Sequence, residues 1–136
     1  MIIVVNGIPA PQGSKRHVGG GRMVEQSRAV GPWREAVRAE TQRARNGRPP
    51  LGGPVEVVIQ FFLPRPKSAP RTRLWPDRRP DLDKLARAVL DGLTDGGAWE
   101  DDGQVVVLRL AKRFAGIAGR LPGARIVIEE ITEVKP

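Results

Sequence analysis

Residues 80–105 read PDLDKLARAVLDGLTDGGAWEDDGQV. Leu82, Leu85, Ala86, Val89, Leu90 and Leu93 recur at the i, i+3, i+4, i+7 spacing of one helical face. That spacing predicts an amphipathic helix over about 81–94. Gly96 and Gly97 stop it, and the β-branched run QVVVLRLAKR predicts a strand over 104–113. Two acids, Asp81 and Asp83, stand at the helix start, and two more, Asp101 and Asp102, stand just before the strand. Such a helix is about 20 Å long, and residues 95–102 reach at most about 26 Å. The second acidic pair can therefore return to the first with little slack, or the strand can carry the chain back alongside the helix.

Working outward, residues 2–8 (IIVVNGI) predict a first strand and 55–63 (VEVVIQFFL) a central one, with a last strand over 124–131 (ARIVIEEI). Pro32 opens a helix running to about Arg45, its apolar stripe formed by Trp33, Ala36, Val37, the stem of Glu40, and Ala44. Arg34, Arg38 and Arg45 are expected on its outer side. Residues 9–30 read as a Gly- and basic-rich loop. Residues 64–80, PRPKSAPRTRLWPDRRP, hold five Pro and six basic residues and cannot form a helix or a central strand. The expected fold is α+β, with a small mixed sheet of about four strands in the order β-α-β-α-β-β covered by two helices. The 136 residues read as a single domain, 1–136.

The net charge is +8 and the isoelectric point near 11.2. Residues 1–80 carry 15 basic and 5 acidic side chains, whereas 81–136 carry 8 and 10. Eighteen of the 23 basic residues are Arg, whose planar fork matches phosphate. A basic first half beside an acid-bearing second half suits a nucleic-acid binder with a metal centre. The chain has no Cys, which excludes disulfides, thiolate zinc and a Cys nucleophile, and one His cannot build a multi-His site. No apolar run approaches the length of a membrane span, and the start reads as a strand rather than a signal segment. A cytoplasmic location in a bacterial or phage-infected cell is the expectation.

Hydrolysis of a phosphodiester needs an activated water and neutralisation of charge on the phosphoryl oxygens, which Mg²⁺ or Mn²⁺ supplies through carboxylate ligands. Asp81 and Asp83, taken alone, read equally well as acids at a helix N-terminus, and Asp101 and Asp102 as an acidic turn. Gathered together in a basic protein, they need a cation to offset their repulsion. Arg87 lies four residues from both Asp83 and Asp91. It is either a salt-bridge partner or a guanidinium stabilising the transferring phosphate. Lys84 and Lys112 are further candidates for that charge, and Asp101 and Asp91 are possible additional acids.

At these residues the sequence resembles the RusA family of Holliday-junction resolvases, found in phages and prophages. The family pattern runs P-D-x-D-N-x-x-K, then L-D-x-L, then D-D-x-Q-V. Here it stands as Pro80-Asp81-Leu82-Asp83-Lys84-Leu85-Ala86-Arg87, Leu90-Asp91-Gly92-Leu93 and Asp101-Asp102-Gly103-Gln104-Val105. The early Gly7-x-Pro9-x-Pro11 followed by Lys15-Arg16 also looks like the family's start. The resemblance implies that Asp81, Asp83 and Asp102 are catalytic acids binding Mg²⁺ or Mn²⁺. It implies a homodimer that cuts a four-way DNA junction in paired fashion, in DNA recombination and repair. Two positions depart from the pattern: Lys84 replaces the usual Asn and Arg87 the usual Lys. Arg keeps the charge but does not readily donate a proton.

The basic segments 15–28 and 65–79 are expected to hold DNA through Lys15, Arg16, Arg22, Arg65, Lys67, Arg71, Arg73, Arg78 and Arg79. Trp75 is either a stacking surface for an unpaired base or an anchor for its loop. Trp33 and Trp99 read as core or interface residues. The competing readings are a non-catalytic basic DNA-binding module and a metal-dependent nucleotide phosphohydrolase. Neither a nucleotide cofactor nor a membrane is expected.

Overall fold

A computed structural model describes residues 1–13, 15–18, 22–25 and 28–132. The elements in chain order are β1 (Ile2–Asn6), β2 (Lys15–Val18), β3 (Arg22–Glu25), α1 (Val30–Arg45), β4 (Val55–Leu63), α2 (Leu82–Asp95), β5 (Val105–Phe114) and β6 (Gly123–Glu130). Short 3-10 turns lie at Asp102–Gln104 and Ile117–Gly119. Four strands form one mixed sheet in the order β1-β6-β4-β5; β4 and β5 run parallel and the other pairs antiparallel. The α+β arrangement read from the sequence is therefore the observed one.

β4 sits inside the sheet because its whole length is apolar or uncharged except Glu56. Val55, Val57, Ile59 and Phe61 on one face are completely buried. They pack with Ile3 and Val5 of β1, Ile126 and Ile128 of β6, Trp33 and Val37 of α1, and Leu85, Val89 and Leu93 of α2. Strand alternation sends Ile2, Val4 and Gln60 to the other face, where Ile2 and Val4 are exposed. Both helices thus cover the same side of the sheet.

The helices approach closely through glycines. A Cβ on Gly92 would lie 2.8 Å from Val37 Cβ, and one on Gly96 would lie 2.6 Å from Thr41 Cβ. α1 begins at Val30, two residues before the predicted start. Pro32 falls inside the first turn, where its missing N–H has no helical partner to lose. Thr41, rather than the Glu40 stem, completes the buried stripe with Trp33 and Val37, and its hydroxyl donates to the Val37 carbonyl at 2.7 Å. Trp33 and Trp99 are both core residues, as expected.

The segment 9–30 is not a plain loop. Lys15–Val18 and Arg22–Glu25 pair as an antiparallel hairpin, with Gly19, Gly20 and Gly21 between them in sequence. Their charge hides the strand signal, although a Gly-rich separation of three residues is a hairpin spacing. Residues 64–80 contain neither helix nor strand, as the prolines require.

Candidate active site

The parallel β4–α2–β5 unit sets the site. After β4 the 64–80 segment returns the chain to the start of α2, and Asp81 occupies the N-cap position with extended backbone, φ −70° and ψ 140°. Its carbonyl accepts from Leu85 N at 3.0 Å, but its carboxylate makes no capping hydrogen bond. The helix therefore does not use the Asp81 side chain to satisfy its end. Asp83 lies in the first turn, and both carboxylates are exposed. Among the described residues neither forms a salt bridge.

Two clamps hold this end of the helix. Lys112 is aligned with Phe61 on the helix-facing side of β5, and its ammonium donates to the carbonyls of Arg78 at 2.7 Å and Pro80 at 2.8 Å. Lys112 thus fixes the backbone just before Asp81. From the other side, Gln12 N donates to the Lys84 carbonyl at 3.0 Å. This bond roots the hairpin-bearing segment on the first turn of α2, beside the acids. The Gln12 side-chain oxygen is buried without a partner among the described residues. Gln12 carries no charge and belongs to no recognised motif, so the sequence did not single it out; its place after Pro9 and Pro11 was the available clue.

The four letters Asp101-Asp102-Gly103-Gln104 divide into scaffold and site. Asp101 caps the 3-10 turn by accepting from Gly103 N at 2.7 Å. Gln104 Oε1 accepts from Glu100 N at 3.0 Å and Asp101 N at 3.2 Å, completing a capping box. Gln104 Nε2 then donates to the carbonyls of Leu51 at 2.9 Å and Gly53 at 3.0 Å, tying the turn to the stretch after α1. A Cβ on Gly103 would meet Asp101 Oδ2 at 2.6 Å, so the cap leaves no room for one. With Asp101 engaged in this way, Asp102 is left to face α2.

There it meets Arg87, whose Nη1 lies 3.1 Å from Asp102 Oδ2 and 3.9 Å from Asp91 Oδ1. Asp91 is not the partner of Arg87 alone: Arg34 of α1 reaches it at 3.8 Å and binds Asp95 more closely, at 2.7 Å. Arg34, expected on the outer side of α1, therefore bridges the helices. Its hydrogen bond to Asp95, together with the Asp95 and Asp91 charges, raises the guanidinium pKa above its ordinary value despite partial burial. Glu100 is exposed.

Asp81, Asp83 and Asp102 each offer carboxylate oxygens, the hard donor type taken by Mg²⁺ and Mn²⁺. Among the described residues, no three His, Cys, Asp or Glu side chains stand close enough to enclose a metal ion. The fold brings Asp102 onto the face of α2 that carries Arg87, one helical turn from Asp83, but the three acids do not converge into a closed group. The donor chemistry fits the ion; the Asp102 carboxylate is engaged by Arg87.

Of the basic residues named for DNA, Lys15 and Arg16 fall on β2 and Arg22 on β3. Lys67, Arg71, Arg78 and Arg79 are exposed in the 64–80 segment. Arg65 donates to the carbonyls of Arg73 and Pro70, and Arg73 pairs with Asp77 at 3.2 Å. Both guanidinium groups also lie over the Phe114 ring, at 5.0 and 5.6 Å from its centroid. These two order the segment, while the exposed cations line it. Trp75 is 55% exposed, with Arg113 over its ring. No helix among the described residues is long and apolar enough to cross a membrane.

The family model described as Endodeoxyribonuclease RusA matches residues 5–129. The crossover junction endodeoxyribonuclease RusA of Escherichia coli (strain K12) is 51% identical over 71 residues, which is 52% of this chain and 50% of that protein. The proteins of that name in Shigella sonnei (strain Ss046) and Enterobacteria phage 82 show the same identity and coverage. The chain spans about half the length of the curated relatives it matches. The family match runs from the end of β1 to the end of β6 and takes in the acid-bearing helix and the Asp101–Gln104 turn, and on that match the chain belongs to the RusA family of endodeoxyribonucleases.

Proposed function

We propose that this chain is a metal-dependent, structure-selective endodeoxyribonuclease that resolves four-way DNA junctions by paired phosphodiester cuts, acting as a homodimer in the cytoplasm during recombination and repair. The observation that carries the reading is the meeting of Asp102 with Arg87 on α2 at 3.1 Å, on the helix that begins with Asp81 and Asp83. Residues far apart in sequence bring acids and a guanidinium to one helix, next to the basic 64–80 segment. Asp81, Asp83 and Asp102 would hold Mg²⁺ or Mn²⁺. The bound ion supplies Lewis-acid polarisation of the scissile phosphate and the attacking water.

The chain's own residues do the rest. Lys112 and the Gln12 backbone fix the start of α2, so that Asp81 and Asp83 are presented by a rigid element. Arg87 offers a permanent positive charge to the non-bridging oxygens of the phosphate. The exposed arginines of 64–80 bind flanking phosphates irrespective of base sequence. The test is a synthetic four-way junction incubated with and without Mg²⁺ and resolved on a denaturing gel. Symmetric nicks that need the metal support the reading; an intact junction under saturating binding overturns it.

A non-catalytic DNA-binding role is the second reading. It is favoured by the spacing of the acids, no three of which among the described residues stand close enough to enclose an ion. It calls for junction binding with no metal-dependent cleavage of any branched substrate.

A further inference from the structure

On the sheet face turned away from the helices, a cavity of about 410 Å³ opens between β4, the 64–80 segment, the end of β5 and the turn that follows. Its walls include the rings of Phe62, Trp75 and Phe114 and the guanidinium groups of Arg65, Arg113 and Arg120. These groups are paired: Arg113 lies 5.0 Å from the Trp75 centroid, Arg120 5.1 Å from Phe62, and Arg65 5.0 Å from Phe114. Among the described residues no acidic side chain lines the cavity.

We propose that this cavity takes one unpaired nucleobase of a bound DNA strand, stacked on Trp75, with the neighbouring phosphates on Arg113 and Arg120. Ring faces and guanidinium planes are the surfaces on which unstacked bases settle. Three cations with no acid among the described lining residues select a polyanion. The volume lies in the range of small-ligand pockets. A paired base hides both faces in the duplex, so the cavity discriminates strands that are open at a branch point.

The position relative to the acids supports the assignment. β5 is an edge strand of the sheet, and its consecutive residues Lys112 and Arg113 point to opposite faces. Lys112 contacts the backbone just before Asp81, and Arg113 stands in the cavity wall. A strand turning around the β5 edge therefore passes from the carboxylates to the cavity. A second copy of the chain is the weaker occupant. A two-fold contact would set Arg65, Arg113 and Arg120 against the same three cations.

The choice of DNA as the polymer rests on the endonuclease reading, and the test separates the two. Trp33 and Trp99 are buried, so Trp75 is the exposed indole of the chain's three tryptophans. The full chain, without metal, is titrated with a ten-residue oligothymidylate and with an abasic deoxyribose-phosphate oligomer of equal length. The oligothymidylate is expected to quench Trp75 emission and to bind about tenfold more tightly than the abasic oligomer. Trp75→Leu, with folding checked by circular dichroism, is expected to remove that preference. Equal or undetectable binding of the two oligomers, or an unchanged preference in Trp75→Leu, overturns the proposal. So does a Trp75→Leu variant that keeps the preference but loses self-association in sedimentation, which makes the cavity a subunit contact. Metal-dependent cutting of a four-way junction by the wild-type chain is scored separately, so loss of the base pocket leaves the endonuclease reading standing, and the reverse.

Discussion

Arg87 Nη1 stands 3.1 Å from Asp102 Oδ2 and joins the second turn of α2 to the turn ahead of β5 across fifteen residues. The side chains are 57% and 35% exposed. A pair so open to water contributes about 0–1 kcal/mol to stability. Its importance is positional. It decides where Asp102 points and which charge reaches a phosphate bound beside α2.

The acids give the first expectation. Asp81→Asn and Asp102→Asn each remove one negative donor while keeping shape. Junction cutting is expected to fall by at least about 100-fold, with junction affinity unchanged or higher because repulsion of the DNA is reduced. Single-turnover cleavage and gel-shift assays on the same preparations check both halves. Full activity in either variant rules that residue out of the donor set.

Arg87 gives a second. If it acts through charge, Arg87→Lys keeps most of the cutting rate and Arg87→Gln loses about 10²-fold or more. The pH–rate profile of Arg87→Lys is then expected to overlay that of the parent between about pH 6 and about pH 9. A new alkaline limb in Arg87→Lys would instead show that a proton leaves this position during the reaction.

Helix packing gives a third. Gly92→Ala places a methyl 2.8 Å from Val37 Cβ and 3.0 Å from the Arg34 carbonyl. The variant is expected to lose about 1–3 kcal/mol of stability by overpacking, read as a lower urea midpoint. In a Val37→Ala background the same substitution is expected to cost less, because the clashing Cγ1 is gone.

The turn before β5 gives a fourth. Gln104→Ala removes four hydrogen bonds, two accepted from Glu100 N and Asp101 N and two donated to Leu51 and Gly53. A loss of about 1–3 kcal/mol is expected, chiefly from the partly buried Leu51 and Gly53 carbonyls left unmatched. Asp101→Ala is expected to lose about 1 kcal/mol with its cap, and Asp102→Ala less. Thermal unfolding of the three variants tests the order.

Salt dependence gives a fifth. Arg71 and Arg79 are exposed cations in the 64–80 segment. If each neutralises one phosphate, the double Gln variant is expected to flatten the slope of log affinity against log salt by about 1.8, or about 0.9 per contact. An unchanged slope places the DNA path elsewhere.

The parts of this fold that could be read from the letters are those where one physical force dominates. The bounds of β4 were legible because a largely apolar, β-branched and aromatic run is flanked by Pro54 and Pro64. α2 was legible because its apolar positions follow one face. What stayed hidden needed a tertiary partner. Thr41 looks polar, yet it is buried because its hydroxyl is satisfied one turn back by Val37. Gly96 read only as a terminator, while the fold also uses it with Gly92 to let α1 come close. β2 and β3 were masked by their charge, and Gln12 acts through its backbone N–H and Gln104 through its side-chain amide, neither of which a charge or periodicity count registers. Of the candidate site, the meeting of Asp102 with the helix that carries Asp81, Asp83 and Arg87 was legible as a possibility of chain reach. The division of labour between Asp101 and Asp102 was not, since adjacent identical residues differ only in which way the backbone turns them.

That division has a bearing on related chains. Three of the four residues from Asp101 to Gln104 serve the architecture of the bend. A homologue that retained Asp101, Gly103 and Gln104 but exchanged Asp102 would still build the same corner and dock it on the same stretch of backbone. Such a sequence would align well over this motif and fold normally, yet lack the one carboxylate free of scaffold duty. Divergence at that single letter is therefore the place to look for paralogues that have become decoys.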